Sequence, residues 1–377
     1  MQAIARFTTT MCLGLLLLAA SHARSQDACN GPYKGKSISP EELADVLAAH
    51  RKWLVNEPFG QKANLCGAVL IRANLREANL SQADLKGAAL DEADLKGAKL
   101  LGADLRRANL SAVLLHKAFL FDTELTKANV SSADVSAVTF EPRSLPDIRS
   151  IAFARPLSTM RFEYNPRALH ELREAFKKAG LRQQEREVTY AIKHTERHKG
   201  WNDRYAGIFQ RIESIFNLIF FELTCAYGMA PGRPLLILVG LIPGFAIPYS
   251  LALRSRSDAG IWAVWLTDRV HKYPGEEKPV RVTDTHPLPN PWPPGQGWAH
   301  LGRLVRAAFI GLYFSLLSAF HIGWRELNVG NWISRLQPRE YTLRATGWVR
   351  VVSGIQSLLS VYLLALWALT YFGRPFE

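Results

Sequence analysis

Few side chains in this 377-residue sequence are spaced for chemistry. His194 and His198 stand four apart, the separation that brings two imidazoles onto one helix face where they can share a metal ion. A zinc-protease helix also needs a glutamate directly after the first histidine. Here Thr195 follows instead, and Lys193, Arg197 and Lys199 crowd the pair, so the stretch reads as a solvated basic face. His321 and Glu326 are a second polar pair, set near an apolar stretch, for which a structural or gating role outweighs catalysis. No paired nucleophile and base, phosphate loop or metal cluster emerges, so the expectation is a non-enzyme without cofactor or resident metal. Cys29 and Cys66 complete the set. An oxidising compartment permits a disulfide between them, two buried thiols being the alternative.

The elements that carry these residues begin with a leader. Arg6, the apolar run from Leu13 to Ala20 and the small residues around Ala23 lay out an export signal over 1–25. An uncleaved anchor is the alternative, and either one exports the segment after it. Residues 26–62 form a capping segment. In it Ser39-Pro40-Glu41-Glu42 predicts a helix start, with Ser39 as N-cap and Glu42 closing a capping box. Leu43, Val46, Leu47, His50, Trp53 and Leu54 give that helix a face to lay over the next module.

That module, 63–140, has a five-residue period. Leu65, Leu70, Leu75, Leu80, Leu85, Leu90, Leu95, Leu100, Leu105 and Leu110 recur without a slip, and Leu115, Leu120, Leu125, Val130, Val135 and Phe140 continue the series. Two positions before each stands a small residue, Ala63 to Ala108 at first, and Asn or Asp often falls between. Period five fits neither the helical 3.6 nor the strand 2.0. It requires a chain that turns once per repeat, with two side chains inward and three outward. Stacked at the spacing of about 4.8 Å between strands, such coils bury a column that no single repeat buries alone.

These residues resemble the pentapeptide-repeat family, whose A-(D/N)-L-x-x consensus they match. The resemblance implies a right-handed quadrilateral β-helix with four repeats per coil, hence about four coils. Some members of that family mimic DNA through acidic outer faces. Here the bases and acids of the repeat are equal in number, such as Arg72, Lys86 and Arg106 against Glu77, Asp84 and Asp104, so nucleic-acid mimicry is set aside.

Beyond Phe140, Pro142 and Pro146 are expected to end the repeat. A helical linker then covers 141–214, built from one helix opening at Asn165-Pro166 and stopped by Gly180, and a second from about Leu181 to Lys199. Residues 215–377 read as a membrane domain. Leu235 to Leu253 and Val349 to Phe372 are long enough to span, and the Ile215 to Phe221 run suits the interface. Ala307 to Phe320 suits a re-entrant helix, or a third span if extended, and 256–301 a proline-rich loop. The net charge of +13 includes nine arginines that flank or join these segments, Arg254, Arg325 and Arg350 among them, which favours lipid headgroups as the electrostatic partner.

The order span, short helix, loop, span resembles the two-span ion-channel pore, over roughly 233–372. Tyr313 to Ser318 stands at its pore helix. Ile322-Gly323-Trp324-Arg325-Glu326, preceded by His321, falls where that family has V-G-Y-G-D. Arg325 replaces a filter glycine and puts positive charge where a cation must pass, so an anion route or a non-conducting relic fits better. The expectations are therefore a membrane-anchored scaffold whose exported rod binds a protein, or an oligomeric channel. Lipids, a protein partner and further copies of the chain are the implied partners, and nucleic acid is not.

Overall fold

A single repeat shows how the chain closes. Ala63 and Leu65 point inward and are buried, while the Asn64 side chain between them accepts the Cys66 N–H (3.3 Å). The Ala68 N–H then donates to the Leu65 carbonyl (3.1 Å), completing a β-turn whose third residue, Gly67, lies at φ +65°. Asn74, Asn79, Asp84, Asp94, Asp104, Asn109, Asn129 and Asp134 each repeat the same contact to the backbone two residues on. Asn and Asp recur at this place because a short acceptor side chain can mimic a backbone turn.

The structure, a computed structural model, describes residues 29–202, 207–254, 260–265, 280–282, 299–320 and 341–373. The export signal expected over 1–25 lies outside them. The chain divides into two compact units, Met1–Ser214 and Ile215–Glu377.

In the first unit the repeats stack in parallel. Asn64 pairs with Asp84, Asp84 with Asp104, and Asp104 with Glu124, so one circuit takes twenty residues and four repeats. The ladder is supplied by backbone donors such as Leu65 N–H to Asp84 O (2.8 Å) and Asp84 N–H to Ala63 O (3.0 Å). Turns interrupt each side so often that most pairings are single bridges. Only β1 (Phe119–Phe121) and β2 (Thr139–Glu141), paired in parallel, are long enough to be strands. The leucines at intervals of five from Leu65 to Leu110 are each no more than 2% exposed and fill the axis.

Both ends are covered. Helix α1 (Pro40–Leu54) starts with reciprocal bonds between Ser39 and Glu42 (3.2 Å each). Leu43 joins the core, and His50 Nδ1 accepts the Ala63 N–H (3.1 Å). Cys29 and Cys66 are bridged by a disulfide, Cα atoms 5.6 Å apart.

At the other end the backbone stacking outlasts the five-residue repeat. Pro142 and Pro146 do not stop the coil. Ser144 pairs with Glu124, Arg155 with Asp134 and Arg161 with Thr139, so the circuit widens from twenty residues to twenty-one and twenty-two. The added length is taken up by α2 (Ile148–Ile151) and a 3-10 turn at Leu157–Thr159. A coil needs only backbone pairing and inward apolar groups, here Ile151, Ala154, Leu157 and Met160, and not the repeat consensus. Helices α3 (Arg167–Lys178) and α4 (Arg182–Asn202) follow. They are no free-standing linker, because Leu169, Leu172, Phe176, Val188 and Ile192 belong to the same continuous core as the leucine column.

The second unit is helical. After α5 (Ile208–Asn217), which begins in the first unit and leads into a π-helical turn at Leu218–Glu222, come α6 (Arg233–Arg254), α7 (Ala299–Ala319) and α8 (Trp348–Phe372). Helices α6 and α8 are long and apolar enough to cross a bilayer, and at 1.5 Å per residue each exceeds about 30 Å. Helix α7 is not a short pore helix but runs 21 residues, of which Val305–Ala319 is the apolar part. It lies antiparallel to α6, with Ser315 Oγ donating to Ile242 O (2.6 Å) and Ser250 Oγ to Ala307 O (3.2 Å). Within the segment read as a loop, β3 (Ile261–Trp265) pairs antiparallel with β4 (Val280–Val282) and with β5 (Tyr341–Ala345). The apolar run Ile261-Trp262-Ala263-Val264-Trp265 is too short to stand out beside the prolines that come after it.

Candidate functional site

With a circuit of twenty residues, charges that balance along the sequence become sorted around the rod. One side carries Asn64, Asp84, Asp104 and Glu124 in a column. The turns that follow this side hold Lys86, Arg106, Arg107 and Lys127, all basic. The turns that precede it hold Leu101 and Phe121, one coil apart, next to Gln82 and Gly102. An open groove of about 600 Å³ runs along the side, lined by Lys62, Lys86, Arg106, Arg107, Lys127 and Arg143 together with the three carboxylates.

Those carboxylates are already engaged. Lys86 Nζ reaches Asp84 (3.5 Å) and Asp104 (3.4 Å), and Arg106 holds Asp104 at 2.8 Å. Arg143 joins Asp122 (2.6 Å), just outside the groove, and Glu124 (3.8 Å). Burial disfavours the charged form of Asp104, yet the hydrogen bonds and charge of Arg106, with Lys86, hold its carboxyl below the usual carboxylate range. Lys62 and Lys127 are exposed and pair with no carboxylate among the described residues; Lys62 instead sits 5.9 Å from the Trp53 ring centre. The groove thus presents neutralised acids on its floor and cations at its rim.

Beside it runs an apolar ridge. Leu101, Phe119 and Phe121 are about two-fifths exposed, and Tyr164 meets Phe121 edge-on with ring centres 5.7 Å apart. Elsewhere on the rod some charges pair across neighbouring coils, as Arg72 does with Glu92 (2.8 Å) and Arg76 with Asp94 (3.8 Å), while the exposed Lys99 and Lys117 pair with no carboxylate among the described residues. Counting charges by type concealed this segregation. Sorting them by position modulo twenty is the signal that reveals it.

Of the residues in the pore-like stretch, Ser318 is buried and bonded to Ser353 Oγ (3.0 Å). His321, Ile322, Gly323, Trp324, Arg325 and Glu326 lie outside the described residues. Around Ser318 a polar seam joins the three long helices. Tyr249 OH donates to Gln356 Oε1 (2.8 Å), Gln356 Nε2 donates to Ser315 Oγ (2.8 Å), and Ser357 Oγ donates to Ser318 O (2.7 Å). His194 and His198 face each other with Nε2 atoms 3.2 Å apart, and an Arg197 Nη2 lies 3.2 Å from the same His198 nitrogen. No group of three or more metal-ligating side chains occurs among the described residues.

Comparison with known proteins places the similarity on the rod. A family profile described as pentapeptide repeats matches eight copies, over residues 61–97, 88–124 and 103–141. No curated protein sequence matches the chain. Among solved structures, HetL, a pentapeptide repeat protein involved in heterocyst differentiation regulation from the cyanobacterium Nostoc, is 36% identical over 20% of this chain and 32% of its own, with a TM-score of 0.20. Rfr23 from the cyanobacterium Cyanothece is 30% identical over 21% of this chain and 46% of its own, with a TM-score of 0.12. A repeat protein of the Arabidopsis thaliana thylakoid lumen is 31% identical over 23% of this chain and 68% of its own, with a TM-score of 0.09. The chain therefore spans less than half of the first two.

Proposed function

Because the chain belongs, through residues 61–141, to the pentapeptide-repeat family, we propose that it is a membrane-anchored scaffold whose exported rod presents a binding surface to a protein partner. The observation that carries this reading is the division of labour within each repeat. Two side chains are spent on an apolar axis, and the others are held outward on a backbone fixed by hydrogen bonds in every coil. Such a surface is pre-ordered, so a partner binds it without the entropic cost of arranging it. Helices α6 and α8 supply the anchor and the flanking arginines its headgroup contacts.

A conducting pore is the lesser reading. The polar seam of α6, α7 and α8 is closed on itself, with Tyr249, Gln356, Ser315 and Ser318 bonded to one another or to backbone. Interhelical hydrogen bonds of this kind hold helices together in lipid. In a bacterial host, the full-length protein should stay with membranes through an alkaline carbonate wash. Its rod should be cleaved by protease added outside permeabilised outer envelopes. Release by carbonate, or protection of the rod, would overturn the proposal.

A further inference from the structure

We propose that the groove along Asp84, Asp104 and Glu124, with the adjoining ridge of Leu101, Phe119, Phe121 and Tyr164, is a docking site for a polypeptide segment that carries carboxylates beside an apolar side chain. The inference rests on the scaffold reading and specifies the partner's chemistry.

Three features of the surface select this occupant. The first is charge. Six cations line the groove against three carboxylates, and those three are held by Lys86, Arg106 and Arg143. Two of the cations, Lys62 and Lys127, stand exposed at the rim and pair with no carboxylate among the described residues, so they can meet a ligand. A ligand with a few carboxylates finds complementary charge there without displacing an existing pair.

The second is the ridge. The Gly102 N–H donates to the Phe121 carbonyl (2.9 Å), so the turns carrying Leu101 and Phe121 stack directly at the groove's edge. Aromatic groups next to basic ones are the composition of protein-binding hot spots. Phe121 is braced by Tyr164 and by its place in β1, so little conformational freedom is lost when it is covered.

The third feature excludes the other polymer that aromatic and basic surfaces attract. Single-stranded nucleic acid needs a continuous positive track for its phosphates. Here Asp84, Asp104 and Glu124 recur at each coil along the floor, so a phosphate chain following the rod would pass, at about every 4.8 Å, carboxylates that already consume the positive charge of Lys86, Arg106 and Arg143. A polypeptide with isolated acids avoids them.

The test uses the full chain in detergent and fluorescence anisotropy of a labelled Gly/Ser peptide with glutamates on either side of a phenylalanine. The peptide should bind, and its glutamine counterpart should bind about tenfold more weakly. Lys62→Glu with Lys127→Glu breaks no ion pair, so the circular dichroism should be unchanged while affinity for the glutamate peptide falls about tenfold. Phe121→Ala should weaken both peptides and keep the preference for glutamate. Equal binding by the charge-reversed protein, no binding of the peptide, or tighter binding of a single-stranded oligodeoxynucleotide would each overturn the inference. None of these results would alter the carbonate and protease outcomes on which the scaffold reading is judged.

Discussion

The third residue of every repeat turn sits in the left-handed region, from Gly67 through Ala137 at intervals of five. Of these fifteen positions only Gly67, Gly87, Gly97 and Gly102 are glycine. For other residues this region costs about 1–2 kcal/mol. Ala112, at φ +54°, accepts that cost with a methyl group that can form no hydrogen bond in return. Ala112→Gly should therefore stabilise the rod by about 0.5–1 kcal/mol after the added flexibility of the unfolded chain is subtracted. The inward, fully buried Ala88 gives the opposite expectation, with Ala88→Gly costing about 1 kcal/mol. Urea titrations followed by circular dichroism compare the two, and a loss of stability in both would contradict the account. At this scale the sequence was most informative. A period of five distinguishes inward from outward residues directly, whereas the reason for Asn or Asp before many of the leucines appears only when the backbone N–H it accepts is seen. The six rim and floor cations were equally visible, but their grouping needed the circumference of the coil.

At the scale of the element, α1 is tied to the first coil through His50. Burial lowers the pKa of this imidazole, the charge of Lys62 lowers it further, and a contact with the backbone of Ser81 opposes both. Its Nδ1 is an acceptor for Ala63, so the neutral form is the one that fits. The unfolded chain then binds the proton more readily than the folded one, and stability is retained above the ordinary imidazole value of about 6.5 and lost as pH falls below it. His50→Gln keeps an acceptor that does not titrate. It should flatten the fall in melting temperature between about pH 7 and pH 5, and an unchanged slope would remove His50 as the cause. The helix itself was legible from Ser39 to Leu54 because its capping box and apolar face are local signals. Helices α3 and α4 were equally legible as helices, yet their destination was not. Leu169, Leu172 and Phe176 define a helical face whether that face meets another helix or the end of a coil. The coil at 141–162 was hidden for a related reason, since its pairing is carried by backbone groups that every sequence possesses.

At the scale of the whole molecule, each unit keeps its apolar groups in a separate place. The first unit's lie along one axis, and the second unit's long helices leave Leu236, Val239, Leu358 and Phe372 mostly exposed. The latter pattern is the one expected of helices whose solvent is hydrocarbon. The two coverings at the rod's ends have a further consequence. A stacked coil ends in a rim of backbone donors and acceptors identical in kind to those it uses internally, and such a rim pairs with any other rim. In this protein Lys36 O receives Val69 N–H (2.9 Å), Gly67 O receives Gly35 N–H (2.8 Å), and Glu141 receives the backbone N–H groups of Tyr164 and Asn165. Deleting residues 29–60 should leave the first coil open, and light scattering should then report end-to-end oligomers in place of the parent species. Should the shortened chain keep the parent's association state, the lids would be ornament. If it polymerises, the molecule is a fibre-forming architecture kept finite by a few dozen residues at its tips.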